Sequence, residues 1–450
     1  MRRAHGSGTD AAARPLEEWK ARMNHESTRA IRTRLNPRLY VVLFAAAVGA
    51  GFFWIDYLPQ PSRVIWLERI HAYPIISGDP IRYRDLKTVL AGIECDRAGM
   101  NVYVTCPCGA ESLGFKNVPF NYPAATLWLG RLAPARLSVA DGDWLGPAVG
   151  IAFLLALSFV FQGTALWEAA YSCALIISPP VLLGIERANF DLVLFCLLFL
   201  SIRFLDRLSN TASYAVAFGL GMLKLYPIGA VIGLIRKTKK SQLLFWLTAA
   251  AEVIFVALTF NNLRAVARTT PQAWWQSFGY SVVFIGSAHF NAFAWATKMK
   301  SPVLAAALVA LVYFARRTRQ YWLCILNGGD MTYRPLFIAG AALYSLCFAA
   351  GTSFNYRLIF LLFTVPYLFS MPRADRAQRR AAALILVALL CVFWLSDIDL
   401  LVILLRAAMT WLLFIFYASV SLTALVDSLS PAGGFLEIRR SLRPARAQSA

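Results

Sequence analysis

The sequence predicts an all-α polytopic membrane protein, and three observations carry that prediction. First, 58% of the 450 residues are hydrophobic and only 15% are charged, with a mean hydropathy of +0.56; soluble domains carry about 25% charged residues. Second, apolar runs recur that approach the roughly 20 residues needed to cross a hydrocarbon core. Third, the formal charge of +20, from 44 Lys and Arg against 24 Asp and Glu, is spread over the links between those runs. Basic residues accumulate in links kept on the cytoplasmic side, so this charge records topology. It forms no single face, which argues against nucleic acid as a partner.

Ten full spans are expected, at about Tyr40–Tyr57, Trp144–Gln162, Leu166–Leu183, Phe190–Leu205, Leu243–Phe260, Val303–Phe314, Leu336–Ala350, Leu358–Phe369, Ala381–Leu395 and Leu400–Leu425. The segment before the first, with Arg29, Arg32, Arg34 and Arg38, lacks the apolar core of a cleaved signal peptide, so the first span reads as a retained anchor. Alternating sides from there puts five basic groups inside: that flank, Arg203 with Arg207, Arg316–Arg319, Arg373–Arg380, and the tail with Arg439, Arg440, Arg443 and Arg446. The chain then divides into a basic cytoplasmic segment 1–39, a transmembrane domain 40–427 and a basic cytoplasmic tail 428–450. Two extracytoplasmic segments, 59–143 and 261–300, interrupt the middle part.

One stretch resists the alternation. Ser213–Ile235 is long enough to cross, yet Arg203 and Arg207 precede it and Arg236 to Lys240 follow it. With Gly219, Gly221, Lys224 and Pro227 in its middle, it reads as a re-entrant hairpin of two half-helices. Such irregular backbone is tolerated at membrane depth only under a cover of protein or a water-filled cavity. Lys224 falls at the tip.

The first outer segment is too long for a connector and reads as a small extracytoplasmic unit. Asp85 opens a helical pattern there, either as the helix N-cap or as a catalytic carboxylate. Cys95, Cys106 and Cys108 lie on the oxidising side, where one disulfide is expected, Cys95 with Cys106 or Cys95 with Cys108. No His lies among these cysteines, so zinc is not supported, and no carboxylate pair is spaced to hold another metal. Cys173, Cys196, Cys347 and Cys391 lie in spans and read as small core residues.

Charges at membrane depth or at its edge are expensive and therefore informative. Glu186, Arg187, Asn189 and Asp191 cluster at one helix start, either as a solvated cap or as a site. Lys224 needs a partner, either an anionic ligand or a distant carboxylate such as Asp191. Arg357, after Asn355 and Tyr356, either serves a site or snorkels to lipid phosphate. Glu168 and Glu252 face helix partners. Trp274, Trp275, Tyr280 and His289 read as an interfacial aromatic belt or an amphipathic helix on the membrane surface.

In order, Asp85, Gly99 to Tyr103, Tyr122-Pro123, Glu186 to Asp191, Gly219 to Pro227 and Asn355 to Arg357 resemble the GT-C class of integral-membrane glycosyltransferases. The likeness is greatest to the polyprenol-phosphate-mannose-dependent mannosyltransferases that build phosphatidylinositol mannosides, and it covers about Tyr40 to Tyr367. The family usually has Gly where Ala188 stands, and the Cys-rich insert is a second departure. The resemblance implies a polyprenyl-phosphate sugar donor, a glycolipid or envelope glycan acceptor and inverting transfer at the outer face of a bacterial-type inner membrane. It implies Asp85 as general base, Lys224, Arg357 and Arg187 at the donor phosphate, and Asn189, Asn121, Tyr122, Tyr226, Asn355, Tyr356 and His289 near the sugar or acceptor. No cofactor is required. The alternative is a transporter or flippase for an anionic lipid or lipid-linked sugar, with Lys224 and Arg187 lining its path; the absence of an internal repeat disfavours it.

Overall fold

A computed structural model describes residues 36–59, 62, 65–66, 81–108, 119–132, 137–161, 165–204, 209–270, 277–289, 298–371, 375–395 and 400–430. The basic segment 1–35, the tail 431–450, and Trp274, Trp275, Arg207 and Arg373 lie outside these residues. The chain is almost wholly helical. Helix α1 (Pro37–Tyr57) starts where Asn36 Oδ1 accepts the Arg38 N–H at 3.1 Å, with proline at the first helical position, where the missing N–H costs nothing. Helices α2 (Arg84–Arg97) and α3 (Ala124–Leu132) belong to the segment 59–143 between the first two spans. Then come α4 (Gly142–Val160), α5 (Leu166–Ile176), α6 (Pro179–Arg187), α7 (Phe190–Arg203) and α8 (Asn210–Leu223).

A 3-10 turn (Tyr226–Ala230) and α9 (Val231–Leu234) lead into α10 (Lys239–Leu258), α11 (Phe260–Thr269), α12 (Val282–His289), α13 (Lys300–Arg317) and α14 (Arg319–Gly328). The chain continues through α15 (Arg334–Ala349), a 3-10 segment (Asn355–Thr364), α16 (Val365–Ser370), α17 (Arg376–Trp394) and α18 (Leu400–Leu429). The described residues contain one sheet, in which β1 (Ser277–Phe278) pairs antiparallel with β2 (Ser353–Phe354). Gly279 beside it has φ +126°, and an added Cβ would stand 1.9 Å from the Gly351 carbonyl oxygen. Only glycine fits there.

Among the described residues, five helices are long and apolar enough to cross a membrane, or up to seven if the bent pairs α5–α6 (47°) and α13–α14 (76°) each count as one span. The α5–α6 bend falls at Pro179-Pro180, which lack amide donors. The expectation of ten full spans is corrected accordingly. Three expected spans fall short: α7 has 14 residues, α15 has 16, and Leu358–Phe369 is 3-10 backbone followed by one short helix. These elements are also the innermost: Leu192, Ala339, Leu343, Phe360 and Leu362 are all 0% exposed. Wrapped by other helices, they can be short or irregular without presenting unpaired backbone to lipid.

The irregular stretch from Ser213 is a broken helical hairpin. Helix α8 ends at Lys224, whose backbone is extended (φ −151°, ψ 125°), and the chain returns through the 3-10 turn and α9, a return arm much shorter than a half-helix. Its two ends meet: the Tyr214 hydroxyl donates to the Ser241 carbonyl at 3.1 Å, and Ser241 Oγ accepts the Arg236 N–H at 2.9 Å. Gly233 lets the return arm lie on α15, since a Cβ there would approach the Pro335 carbonyl oxygen to 2.5 Å. Arg38, Glu168 and Arg203 are each within electrostatic reach of Tyr333, so the starts of α1, α5 and α15 and the end of α7 share one end of the bundle.

Helices α2 and α3 pack through glycines, Gly92 beneath Phe120 and Gly130 beneath Ile93. Arg131 clamps Asp96 with two 2.6 Å hydrogen bonds. The Tyr83 N–H donates to the Glu186 carbonyl at 3.2 Å and fastens this unit to α6. Glu168 caps its own helix by accepting the Ala165 N–H at 3.1 Å. Glu252 differs. Its carboxylate is buried on α10 against Gly221, and neither oxygen has a hydrogen-bond partner among the described residues. A buried polar group left unpaired costs about 1–3 kcal/mol, so Glu252→Met is expected to stabilise the purified protein by about that amount. Thermal unfolding in detergent checks this, and a lowered midpoint would refute it.

Candidate functional site

The site forms where α2, α6, α7, the hairpin tip and the turn after β2 converge. It starts with a tight reversal. Helix α6 ends at Ala188, which adopts the left-handed conformation (φ 43°, ψ 47°), held by Ala188 N–H to Ile185 O and Asn189 N–H to Gly184 O, both 3.0 Å. A residue with a Cβ pays about 1–2 kcal/mol there, which explains why glycine is the easier choice at this position. The reversal lets Asn189 cap α7: its Oδ1 accepts the Asp191 N–H at 2.9 Å. Its Nδ2 donates to Asp85 Oδ2. Arg187 Nη1 donates to Asp85 Oδ1 at 2.9 Å.

Asp85 is therefore not the N-cap of α2. Tyr83 holds that position, in the left-handed region (φ 53°) and without a capping side chain, and Asp85 lies in the first turn. Both carboxylate oxygens carry a donor, yet the side chain keeps 14% exposure. Asn189 is fully buried with both ends of its amide engaged.

Sealed beneath lies Asp191, at 0% exposure. Its Oδ1 accepts from Lys224 Nζ and from the Tyr226 hydroxyl, and its Oδ2 stands 3.4 Å from Arg357 Nε. Of the two partners the sequence leaves open for Lys224, the carboxylate is the one present. The Lys224 ammonium also sits 5.0 Å from the centre of the Tyr122 ring, and the Arg357 guanidinium lies 5.3 Å above Tyr226. Arg357 donates to Ser353 Oγ at 3.1 Å and retains 19% exposure. Tyr356 stacks on Phe354 within electrostatic reach of Asp85, Asp191, Arg187 and Arg357.

The segment that holds α2 and α3 supplies Tyr122. The Tyr103 hydroxyl donates to its carbonyl at 3.1 Å, and Gly99, at φ +80°, turns the chain out of α2 so that Tyr103 can reach it. Burial first, then Asp85, pushes the Tyr122 phenol well above its ordinary range, so it stays a neutral donor. Asn121 Oδ1 and Asn355 Oδ1 are buried without hydrogen-bond partners among the described residues. Buried acceptors of this kind are ordinarily satisfied by a water or a ligand. His289 ends α12, but its side chain lies outside the described residues.

Around these groups three cations, Arg187, Lys224 and Arg357, face two carboxylates, Asp85 and Asp191. Glu186, also buried, acts on Arg187 as a further negative charge. Among the described residues, no three His, Cys, Asp or Glu side chains gather in a metal-holding group. Asp191 carries more of the site than its sequence neighbourhood suggests; its signal is a carboxylate opening an otherwise apolar helix. In the segment that holds α2 and α3, Cys95 is bonded to Cys108, leaving Cys106 as a buried thiol, which burial and then Glu94 push up.

No protein-family model, curated protein or solved structure matches this chain.

Two outcomes follow from this geometry. Asp191→Asn leaves Lys224 buried without its counter-charge and is expected to cost about 3–5 kcal/mol. Adding Lys224→Met should recover at least half of the loss in thermal unfolding, and independent, additive losses would contradict the pairing. In non-reducing peptide mapping, Cys95 and Cys108 are expected in one linked peptide. Cys106 should be alkylated only after unfolding.

Proposed function

We propose that this protein is a GT-C-like glycosyltransferase that moves a sugar from a polyprenyl-phosphate donor to a hydroxyl of a glycolipid or envelope glycan. The proposed setting is a bacterial-type inner membrane, with both termini cytoplasmic and the site facing outward. One observation carries the reading: a partly exposed carboxylate, Asp85, is oriented by Arg187 and Asn189, and a partly exposed cation, Arg357, lies in the same cluster, with Tyr356 within electrostatic reach of both.

In this mechanism Asp85 accepts the proton of the acceptor hydroxyl as its oxygen attacks the anomeric carbon. The bond from that carbon to the phosphate oxygen breaks on the opposite face, giving inversion, and the departing polyprenyl phosphate keeps the electron pair. Arg357 stabilises the charge that grows on that phosphate, where a pre-oriented cation in a dry setting is most effective. Arg187 and Asn189, already bonded to Asp85, orient the base. Lys224, bonded to Asp191, contributes its field from below. Asn121, Asn355, Tyr122 and Tyr356 remain candidates for the sugar or acceptor hydroxyls, and Tyr226 holds Asp191.

The transporter reading needs Lys224 and Arg187 along a substrate path, and both are committed to carboxylates. Transfer assayed in detergent separates the two, since a carrier performs no chemistry there. With a radiolabelled polyprenyl-phosphate mannose, Asp85→Asn is expected to lower the transfer rate by about 10²–10⁴-fold while donor binding persists. Full retained activity would remove Asp85 as the base.

A further inference from the structure

A second concentration of charge lies at the other end of α7. That helix carries Asp191 in its first turn and ends at Arg203, and its 14 residues span about 20 Å at 1.5 Å per residue. There a cavity of about 390 Å³ opens beside the foot of the hairpin. Four basic residues, Arg203, Arg236, Lys237 and Arg334, line it, and among the described residues its lining contains no acidic side chain. Asp427 stands 3.0 Å from Lys237 and 4.0 Å from Arg334.

The first turn of α15 contributes Arg334, Pro335 and Leu336 to the wall. A 16-residue helix therefore turns the positive end of its dipole toward the same space. Arg334 Nε is buried without a hydrogen-bond partner among the described residues. The remaining wall includes apolar residues such as Ile202, Leu234 and Ile338. Topology alone does not require this arrangement: retention of basic links on one side needs charge near the membrane edge, not four cations converging on a hollow.

We infer that this cavity binds a phosphate group, either the headgroup phosphate of an anionic lipid or free phosphate, and that its occupant braces the foot of the hairpin carrying Lys224. Arginine forks match phosphate oxygens, and a cluster of them recognises phosphate by charge-assisted hydrogen bonds. The apolar wall suits the glycerol and upper acyl carbons of a lipid. Gly233 to Lys237 form both the cavity wall and the return arm of the hairpin, so an occupant touches the element that sets Lys224. This inference stands apart from the sugar-transfer reading, because none of the four cations belongs to the Asp85 site.

The test uses the full-length protein, delipidated in a neutral detergent, with phosphatidylglycerol, phosphatidylcholine and inorganic phosphate as probes. Native mass spectrometry and thermal unfolding are the readouts. Wild type is expected to retain phosphatidylglycerol over phosphatidylcholine and to unfold at a higher temperature with it. The double variant Arg203→Gln, Arg236→Gln should lose that binding by at least about tenfold. The control Lys239→Gln, Lys240→Gln removes equal charge beside the cavity and should keep it. Arg203→Lys, Arg236→Lys, which preserves charge and fold but not the fork, should fall between.

Competition by inorganic phosphate with equal or greater affinity identifies free phosphate as the source. Retention of phosphatidylglycerol despite millimolar phosphate identifies the lipid. Equal losses in the Arg203/Arg236 and Lys239/Lys240 doubles, or wild type that prefers neither anion over phosphatidylcholine, would overturn the inference.

Discussion

The ion pair between Asp191 and Lys224 is the interaction on which the rest of the site depends. It closes the gap between the first turn of α7 and the tip of the hairpin, with the Asp191 side chain 0% and the Lys224 side chain 8% exposed. An ammonium or a carboxylate alone at that depth would cost several kcal/mol in desolvation. Each is therefore tolerable only because the other is present, and with Tyr226 and Arg357 they draw the hairpin, α7 and the turn after β2 into one place. The break in α8 at Lys224 is a consequence: extended backbone there swings the side chain to Asp191 instead of continuing the helix.

Above this buried pair, a local constraint orients Asp85. Ala188 accepts left-handed backbone so that α6 can end and α7 begin within two residues, which puts Arg187 and Asn189 on either side of the carboxylate. The strain is offset by what it organises, since Asn189 both caps α7 and donates to Asp85. Tyr83, also in the left-handed region, lets α2 start with Asp85 facing this turn while its own N–H holds Glu186. Two strained residues thus meet at one carboxylate, a pattern common at functional sites.

The layering of the bundle explains how short elements coexist with an apolar exterior. The helices that pass for full spans are 22–44% buried over their apolar windows, whereas most residues of α7 and α15 and nearly all of the 3-10 segment after β2 are buried. The broken, charged and irregular backbone is collected in that interior, where neighbouring helices take the place of lipid. Arg203 and Asp191 sit at opposite ends of α7, so one interior helix separates two charged regions.

The sequence by itself determined the class, through low charge and repeated apolar runs, and it located the hairpin, because basic residues on both sides of Ser213–Ile235 cannot be reconciled with one crossing. It also singled out nearly every member of the charged cluster, since ionisable residues in apolar segments are conspicuous. It could not count spans reliably: apolar residues appear alike in a lipid-facing helix and in an interior one, and only packing tells α7 and α15 from α10. Nor could it assign partners. Asp85 is 102 residues from Arg187, and Lys224 is 33 from Asp191. Which carboxylate neutralises which cation depends on distances of a few ångströms, and those exist only once the helices have packed.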